Sequence, residues 1–408
     1  MFKKVYLKNN IPLVMERIPG VRSVTLGIWL KVGSRYEKAH ERGLSHFLEH
    51  MFFKGTTKRS QKDIACEVDS LGADLNAFTS KETTTFYVKA LDEYLYNASE
   101  LLSDIFLNSL FPVEEIEKEK GVVLEEIRMS EDTPDDHVHD LFNEFVWNDS
   151  GLGHRILGEP ESIATFNRDM LLEYIKRHYT RENIVISCAG NIDYERVQDI
   201  LNPYLGEITL SGKENNNKKP FFNPVKKAVT RDCAEVHICM GVEGVSQTSP
   251  HRYALLLLNT IMGMGVSSRL FQEIREEKGL AYTVYSFASS YFDTGLFGVY
   301  VGTSPEKYKE VIEIVERQFR TFKDTVSSEE IERAKKQLRG NIILALESTS
   351  GRMTNIARQE IYYGRYYSPD EIIQIIDSVD IDEIRGLSDM LFSGNDIAIT
   401  LLGPVKEI

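Results

Sequence analysis

His46 and His50 stand four residues apart with Glu49 beside the second imidazole, a combination that can hold a metal ion and move a proton. On a helix, side chains at i and i+4 lie about 5–6 Å apart at Cβ, so two ring nitrogens can converge on one ion at roughly 2.0–2.1 Å. Glu49 is close enough to touch water next to such an ion without being a ligand itself, in the H-x-x-E-H order of some zinc hydrolases. A hydrolytic zinc site also needs a third protein ligand and an open fourth position. The competing reading is an ordinary amphipathic helix whose histidines are half-buried or solvated.

The element that must position these groups is legible. Leu44, Phe47, Leu48, Met51 and Phe52 follow the i, i+3, i+4, i+7, i+8 spacing of a buried stripe, while His46, Glu49, His50 and Phe53 form a second face. Gly43 and Gly55 are plausible punctuation for this helix. A third ligand is expected on another rigid element, and the acid-rich segment 113–131, which starts after Pro112, reads as a helix. Most of its acids must be solvated. Glu119, Val122 and Glu126 share one face by spacing, but spacing does not choose between Glu125 and Glu126.

Strands are expected at 3–8, 11–16, 22–33, 73–80, 83–91 and 183–190, and helices at 43–54, 61–71, 92–109, 113–131 and 134–147. This order mixes hairpins with paired helices, which suits α+β better than a doubly wound parallel sheet. Residues 211–220 are polar and rich in turn formers, as a linker should be, and the linker is expected at 211–222. The two sides echo one another: Val24–Trp29 resembles Val236–Gly241, and 183–187 resembles 396–400. Two homologous domains in tandem are expected, 1–210 and 223–408, each a mainly antiparallel sheet packed with helices. The second has no counterpart of His46, Glu49 or His50, so one zinc per chain is expected, in the first.

The 408 residues leave room for two packed units, and 42% apolar content can fill their cores. A net charge of −14 argues against nucleic acid as the main partner, and acids facing a cavity would favour cationic peptides. Cys66, Cys188, Cys233 and Cys239 form no framework, which fits a reducing compartment. The amino terminus alternates as a strand, and no apolar run approaches membrane-spanning length, so no membrane partner is expected. The acids and histidines of 131–140 are read as a helix start at Pro134 rather than a second metal site, and the Gly-rich 263–268 lacks the Lys of a phosphate-binding loop.

The run Gly43-Leu44-Ser45-His46-Phe47-Leu48-Glu49-His50-Met51-Phe52-Phe53-Lys54-Gly55-Thr56 resembles the signature of the inverted-zincin peptidases of the pitrilysin/insulysin type. The chain is similar to bacterial two-domain relatives of mitochondrial processing peptidase. The resemblance implies Glu126, in Val122-Val123-Leu124-Glu125-Glu126, as third ligand, and Glu119 as a supporting acid. It implies that 75–80 is an edge strand pairing with substrate, with Asn76 and Ala77 facing the substrate backbone and Phe53 and Phe78 lining side-chain pockets. It also implies that Arg275 and Tyr282 help hold the substrate carbonyl. The family builds a closed chamber from four such domains, so this chain would act as a homodimer, with Arg275 and Tyr282 of one chain facing the zinc of the other. The implied activity is that of a zinc metalloendopeptidase acting on peptides or unfolded precursor segments, in a bacterial-type cytoplasm. The alternative is a non-catalytic or substrate-presenting subunit of a heterodimeric processing peptidase.

Overall fold

Short runs rich in β-branched and aromatic residues, separated by Gly, Asn and Asp turns, become strands, and they assemble into two sheets. The computed structural model describes residues 1–212 and 219–408, so 213–218 of the expected linker lie outside the described residues. The first sheet contains β1 (Phe2–Tyr6), β2 (Pro12–Arg17), β3 (Ser23–Leu30), β4 (Asp74–Thr79), β5 (Thr84–Leu91) and β6 (Ile184–Gly190), in the order β1-β2-β6-β3-β5-β4. These are the six strands expected in that half. Only β2 and β6 run parallel. β4 pairs with β5 alone and forms an edge.

The second sheet contains β7 (Lys226–Thr230), β8 (Val236–Glu243), β9 (Ala281–Ser290), β10 (Gly295–Thr303) and β11 (Ala398–Gly403), ordered β7-β11-β8-β10-β9. Its one parallel pair is β7 with β11. Apart from β1, the two orders coincide when β2, β6, β3, β5 and β4 are read as β7, β11, β8, β10 and β9. The two faint sequence echoes fall on β3 with β8 and on β6 with β11. The fold is therefore a duplicated α+β unit.

Two compact units result, and they interleave along the chain. One comprises Met1–Met129, His154–Lys218 and Ala345–Tyr366, the other Ser130–Gly153, Lys219–Leu344 and Tyr367–Ile408. The expected contiguous division thus differs from the packing in two places. The reason is that a sheet has two faces, and the helices local to each half cover only one. In the first unit, Leu44–Met51 and Leu95–Asn108 pack on β5 within the main core. The other face is covered by the helix Thr349–Tyr363, whose Met353, Ile356 and Ala357 meet Val14, Trp29, Val185 and Ala189.

Several polar groups along that seam are matched. Trp29 Nε1 donates to Ser187 Oγ at 2.9 Å, Thr25 and Thr349 hydroxyls lie 2.9 Å apart, and Arg352 pairs with Glu16 at 2.6 Å. Gly27 makes room for the helix, since a Cβ there would lie 2.6 Å from Met353 Sδ. In the second unit, Pro134–Val146 plays the corresponding part against β8 and β11, with Pro134 opening the helix as expected. Val138, Phe142, Val146 and Trp147 join Cys239, Leu296 and Leu402 in a separate apolar cluster. No helix among the described residues is long and apolar enough to cross a membrane. Met353→Ala should lower stability by about 2–5 kcal/mol, read as a lower urea midpoint with an unchanged slope.

Candidate metal centre

The helix Leu44–Met51 is anchored before any chemistry is considered. Leu44, Phe47, Leu48, Met51 and Phe52 are all fully buried, as their spacing requires. Phe47 meets Phe166 with ring centroids 5.4 Å apart, and Phe52 meets Phe86 at 4.8 Å and Phe111 at 5.2 Å. The helix begins on Gly43 with φ 91°, where a side chain would be strained and its Cβ would come within 2.7 Å of the Leu157 carbonyl. Glu37 reaches the start of this helix from outside, accepting from Gly43 N at 2.8 Å and Ser45 N at 2.7 Å. Burial pushes the Glu37 carboxyl up to about 7, against the pull of those two N–H groups.

With the helix fixed, His46 and His50 present Nε2 atoms that each lie 3.7 Å from Glu126 Oε2. Ligand atoms of all three residues fall within 4.8 Å of one another, and among the described residues this is the group of His, Cys, Asp and Glu that could hold a metal. Glu125 points elsewhere, ion-paired with Arg128 on the surface. The phase of the Val113–Glu131 helix thus brings Glu126, and not Glu125, beside the two histidines. Glu119, about two turns earlier on the same helix, is buried and accepts from His50 Nδ1 at 2.8 Å while pairing with Lys54 Nζ at 2.5 Å. That bond directs His50 Nε2 toward Glu126. His46 has no such brace, its Nδ1 being buried without a partner.

The electrostatics suit a cation. Burial, then repulsion from His50, lowers His46 to about 4, which keeps it the neutral imidazole a metal requires. At His50 burial opposes the charge, but the Glu119 hydrogen bond and the nearby carboxylates outweigh it and raise the pKa. Burial likewise opposes ionisation of Glu119, yet the bonds from His50 and Lys54 hold its carboxyl below the ordinary value. Glu126 Oε2 is buried with no hydrogen-bond partner. An acceptor left bare in that way is costly, and a divalent ion bound at roughly 2.0–2.2 Å by each ligand would satisfy it together with both imidazoles. Glu49 sits beside this group with its pKa raised by burial, partly offset by a hydrogen bond from Thr79 Oγ1 to Oε2 at 2.6 Å.

The remaining expected residues divide between the units. In the first, Asn76, Ala77 and Phe78 lie on β4, whose outer edge has no strand partner among the described residues. Asn76 and Phe78 are exposed and Ala77 is buried, and Phe78 leans edge-on against Trp29 at 5.5 Å. Phe53 is half-buried and packs on the core near Phe86. Arg275 and Tyr282 belong to the second unit and form a pair there: Arg275 Nη1 donates to the Tyr282 carbonyl at 2.9 Å, and its guanidinium lies 4.3 Å from the ring centroid. The Tyr282 side chain is otherwise open to solvent, at 75% exposure. Arg275 sits on Phe271–Glu277, which is wound as a π-helix, a form frequent at functional sites. Neither Glu37 nor Thr79 was singled out in the sequence: no periodic pattern links them to the helix they touch.

Residues 13–160 match the family model described as Insulinase (Peptidase family M16), and residues 165–338 match the one described as Peptidase M16 inactive domain. Over 405 residues the chain is 41% identical to the uncharacterized zinc protease YmxG of Bacillus subtilis, covering 99% of this chain and 98% of that protein. An uncharacterized zinc protease of Streptomyces coelicolor is 36% identical over 422 residues, covering 99% of this chain and 90% of the relative. Among solved structures, a peptidase M16 inactive domain from Pseudomonas fluorescens has a TM-score of 0.93 at 16% identity, over 100% of this chain and 99% of its own. A protease from Helicobacter pylori has a TM-score of 0.89 at 20% identity, over 99% of both chains. These two structural likenesses concern the fold alone.

Removing the Glu37 carboxylate strands two backbone donors at the start of the site helix. Glu37→Ala should therefore cost about 1–3 kcal/mol in chemical denaturation.

Proposed function

The chain belongs to peptidase family M16, and on that premise we propose that it is a zinc-dependent endopeptidase with His46, His50 and Glu126 as ligands. The observation that carries this reading is the convergence of two imidazole Nε2 atoms on a buried carboxylate oxygen that has no other partner. Zinc held there would supply Lewis acidity, bringing the pKa of water from 15.7 toward about 7. Glu49 takes the proton of the attacking water on its carboxylate and returns it to the leaving amine. Burial raises its carboxyl above the ordinary value, against the pull of the Thr79 hydrogen bond. Glu119 keeps His50 in the tautomer whose Nε2 lone pair faces Glu126.

Substrate is read as an added strand on the open edge of β4, with main-chain bonds at Asn76 and Ala77 and side-chain contacts at Phe53 and Phe78. Arg275 and Tyr282 then steady the oxyanion, a role whose loss typically costs about a hundredfold or more. The chain acts as a homodimer, in which that pair serves the partner's zinc. Substrates are peptides or unfolded precursor segments enclosed in a chamber. Four free cysteines fit a reducing cytoplasm.

The test is zinc content and cleavage of a quenched-peptide library by the purified chain. One zinc per chain is expected, and Glu49→Gln should keep it while losing about 10²–10⁴-fold in turnover; an active, zinc-loaded Glu49→Gln chain would remove Glu49 as the base. His46→Ala should lose the metal. Zinc without cleavage by the unaltered chain would instead favour a substrate-presenting subunit. Glu119→Ala should weaken zinc about 10–100-fold in competition with a chelator.

A further inference from the structure

Thr79 occupies the last position of β4, and its Oγ1 donates to Glu49 Oε2 at 2.6 Å. We propose that Thr79 is a positioning residue that aims the Glu49 carboxylate, so that the strand expected to pair with substrate also sets the direction of the base. The inference rests on the peptidase reading and adds to it a residue and a coupling.

The bond is short because its acceptor is a carboxylate, and charge-assisted O–H···O contacts of this kind are the strong ones. It occupies one oxygen of Glu49 and leaves the other for water. A glutamate has three rotatable bonds, and nothing in the helix Leu44–Met51 itself dictates where its carboxylate points. A threonine is stiffer: its branched Cβ restricts χ1. An aiming group must itself be held, and Thr79 is. It pairs with Thr84 in the β4–β5 ladder. The following turn closes with Ser80 N donating to the Thr83 carbonyl at 2.7 Å.

The turn is clamped from a second side. Ser34 N donates to Ser80 O at 3.2 Å and Arg35 N to Lys81 O at 2.8 Å. A Cβ on Gly33 would lie 2.2 Å from the Ser80 carbonyl, so the two backbones are in contact. Within the turn, Glu82 pairs with Arg35 at 2.6 Å, both nearly inaccessible to solvent. Tyr362, from the helix Thr349–Tyr363, donates to the other oxygen of Glu82 at 3.0 Å. The hydroxyl that meets Glu49 is thus attached to one of the better-fixed corners of the first unit. A Thr at the end of an ordinary hairpin would need none of this, and its hydroxyl would turn to solvent or to its own backbone.

The test uses the full-length, zinc-loaded chain and a quenched fluorescent peptide that the unaltered chain cleaves. Thr79→Val removes the hydroxyl and keeps the branched shape, whereas Thr79→Ser keeps the hydroxyl. Thr79→Val should lower kcat about 10- to 100-fold, the scale on which a misplaced reacting group is felt, while KM, zinc content and thermal midpoint stay at the unaltered values. Thr79→Ser should retain most of kcat. Equal losses in both variants, an unchanged kcat in Thr79→Val, or a loss confined to KM or zinc would each overturn the proposal.

A second readout does not depend on turnover. In crystals of zinc-loaded Thr79→Val, Glu49 should spread over several rotamers with His46 and His50 unmoved, and in Thr79→Ser it should hold one. An unshifted Glu49 in Thr79→Val would overturn the inference. If the unaltered chain cleaves no peptide, it is the peptidase reading that fails, and the crystals still decide Thr79.

Discussion

One buried carboxylate governs the geometry of the candidate centre. Glu119 accepts from His50 Nδ1 and is paired with Lys54 on its other oxygen, and so it ties the helix Leu44–Met51 to the helix Val113–Glu131. Two helices, far apart in the chain, must agree in rotation as well as in distance for Glu126 to meet both imidazoles. A buried acid with both oxygens satisfied fixes that rotation, since any slip would leave it or one of its partners uncompensated in a poorly solvated place. The exposed acids of the same helix carry no such requirement. Glu117 and Glu125, for example, simply pair with lysine or arginine three residues along.

What could be read from the sequence follows from how local its physics is. The stripe Leu44, Phe47, Leu48, Met51 and Phe52 states which face of one helix is buried, and the opposite phase of His46, Glu49 and His50 follows with it. The strands of the first half and the echo between β3 and β8 are equally local signals. Pairings across the fold leave no such trace. Glu37 lies upstream of the helix it caps, separated from it by a loop, and looks like any acid in a charged stretch. The Thr79–Glu49 bond joins a strand end to a helix face. Neither separation has a period to detect. Spacing leaves Glu125 and Glu126 open and the family resemblance implies Glu126; the structure adds a helix phase that sends Glu125 into solvent.

The second unit shows what duplication preserves and what it releases. The strand order is retained, because register in a buried sheet resists change: a slip of one residue would turn every apolar side chain outward. The candidate ligand set is not repeated, since no H-x-x-E-H pattern stands in the second half. What it presents instead is an arginine against a solvent-open tyrosine, on a segment wound as a π-helix. Nothing in the residue pattern of Leu270–Glu277 marks that winding.

The borrowed helices bear on how the molecule is made. A ribosome delivers the chain from its amino terminus, and most domains can fold as they emerge. Here the sheet β1–β6 is fully synthesised once Gly190 has appeared, yet the helix that covers its Trp29 face runs from Thr349 to Tyr363. Most of the second unit, though not its Tyr367–Ile408 segment, must be translated before the first can close. Until then an apolar face of Val14, Trp29, Val185 and Ala189 waits uncovered. The order of synthesis thus sets how long one apolar face of the first sheet stays without its cover.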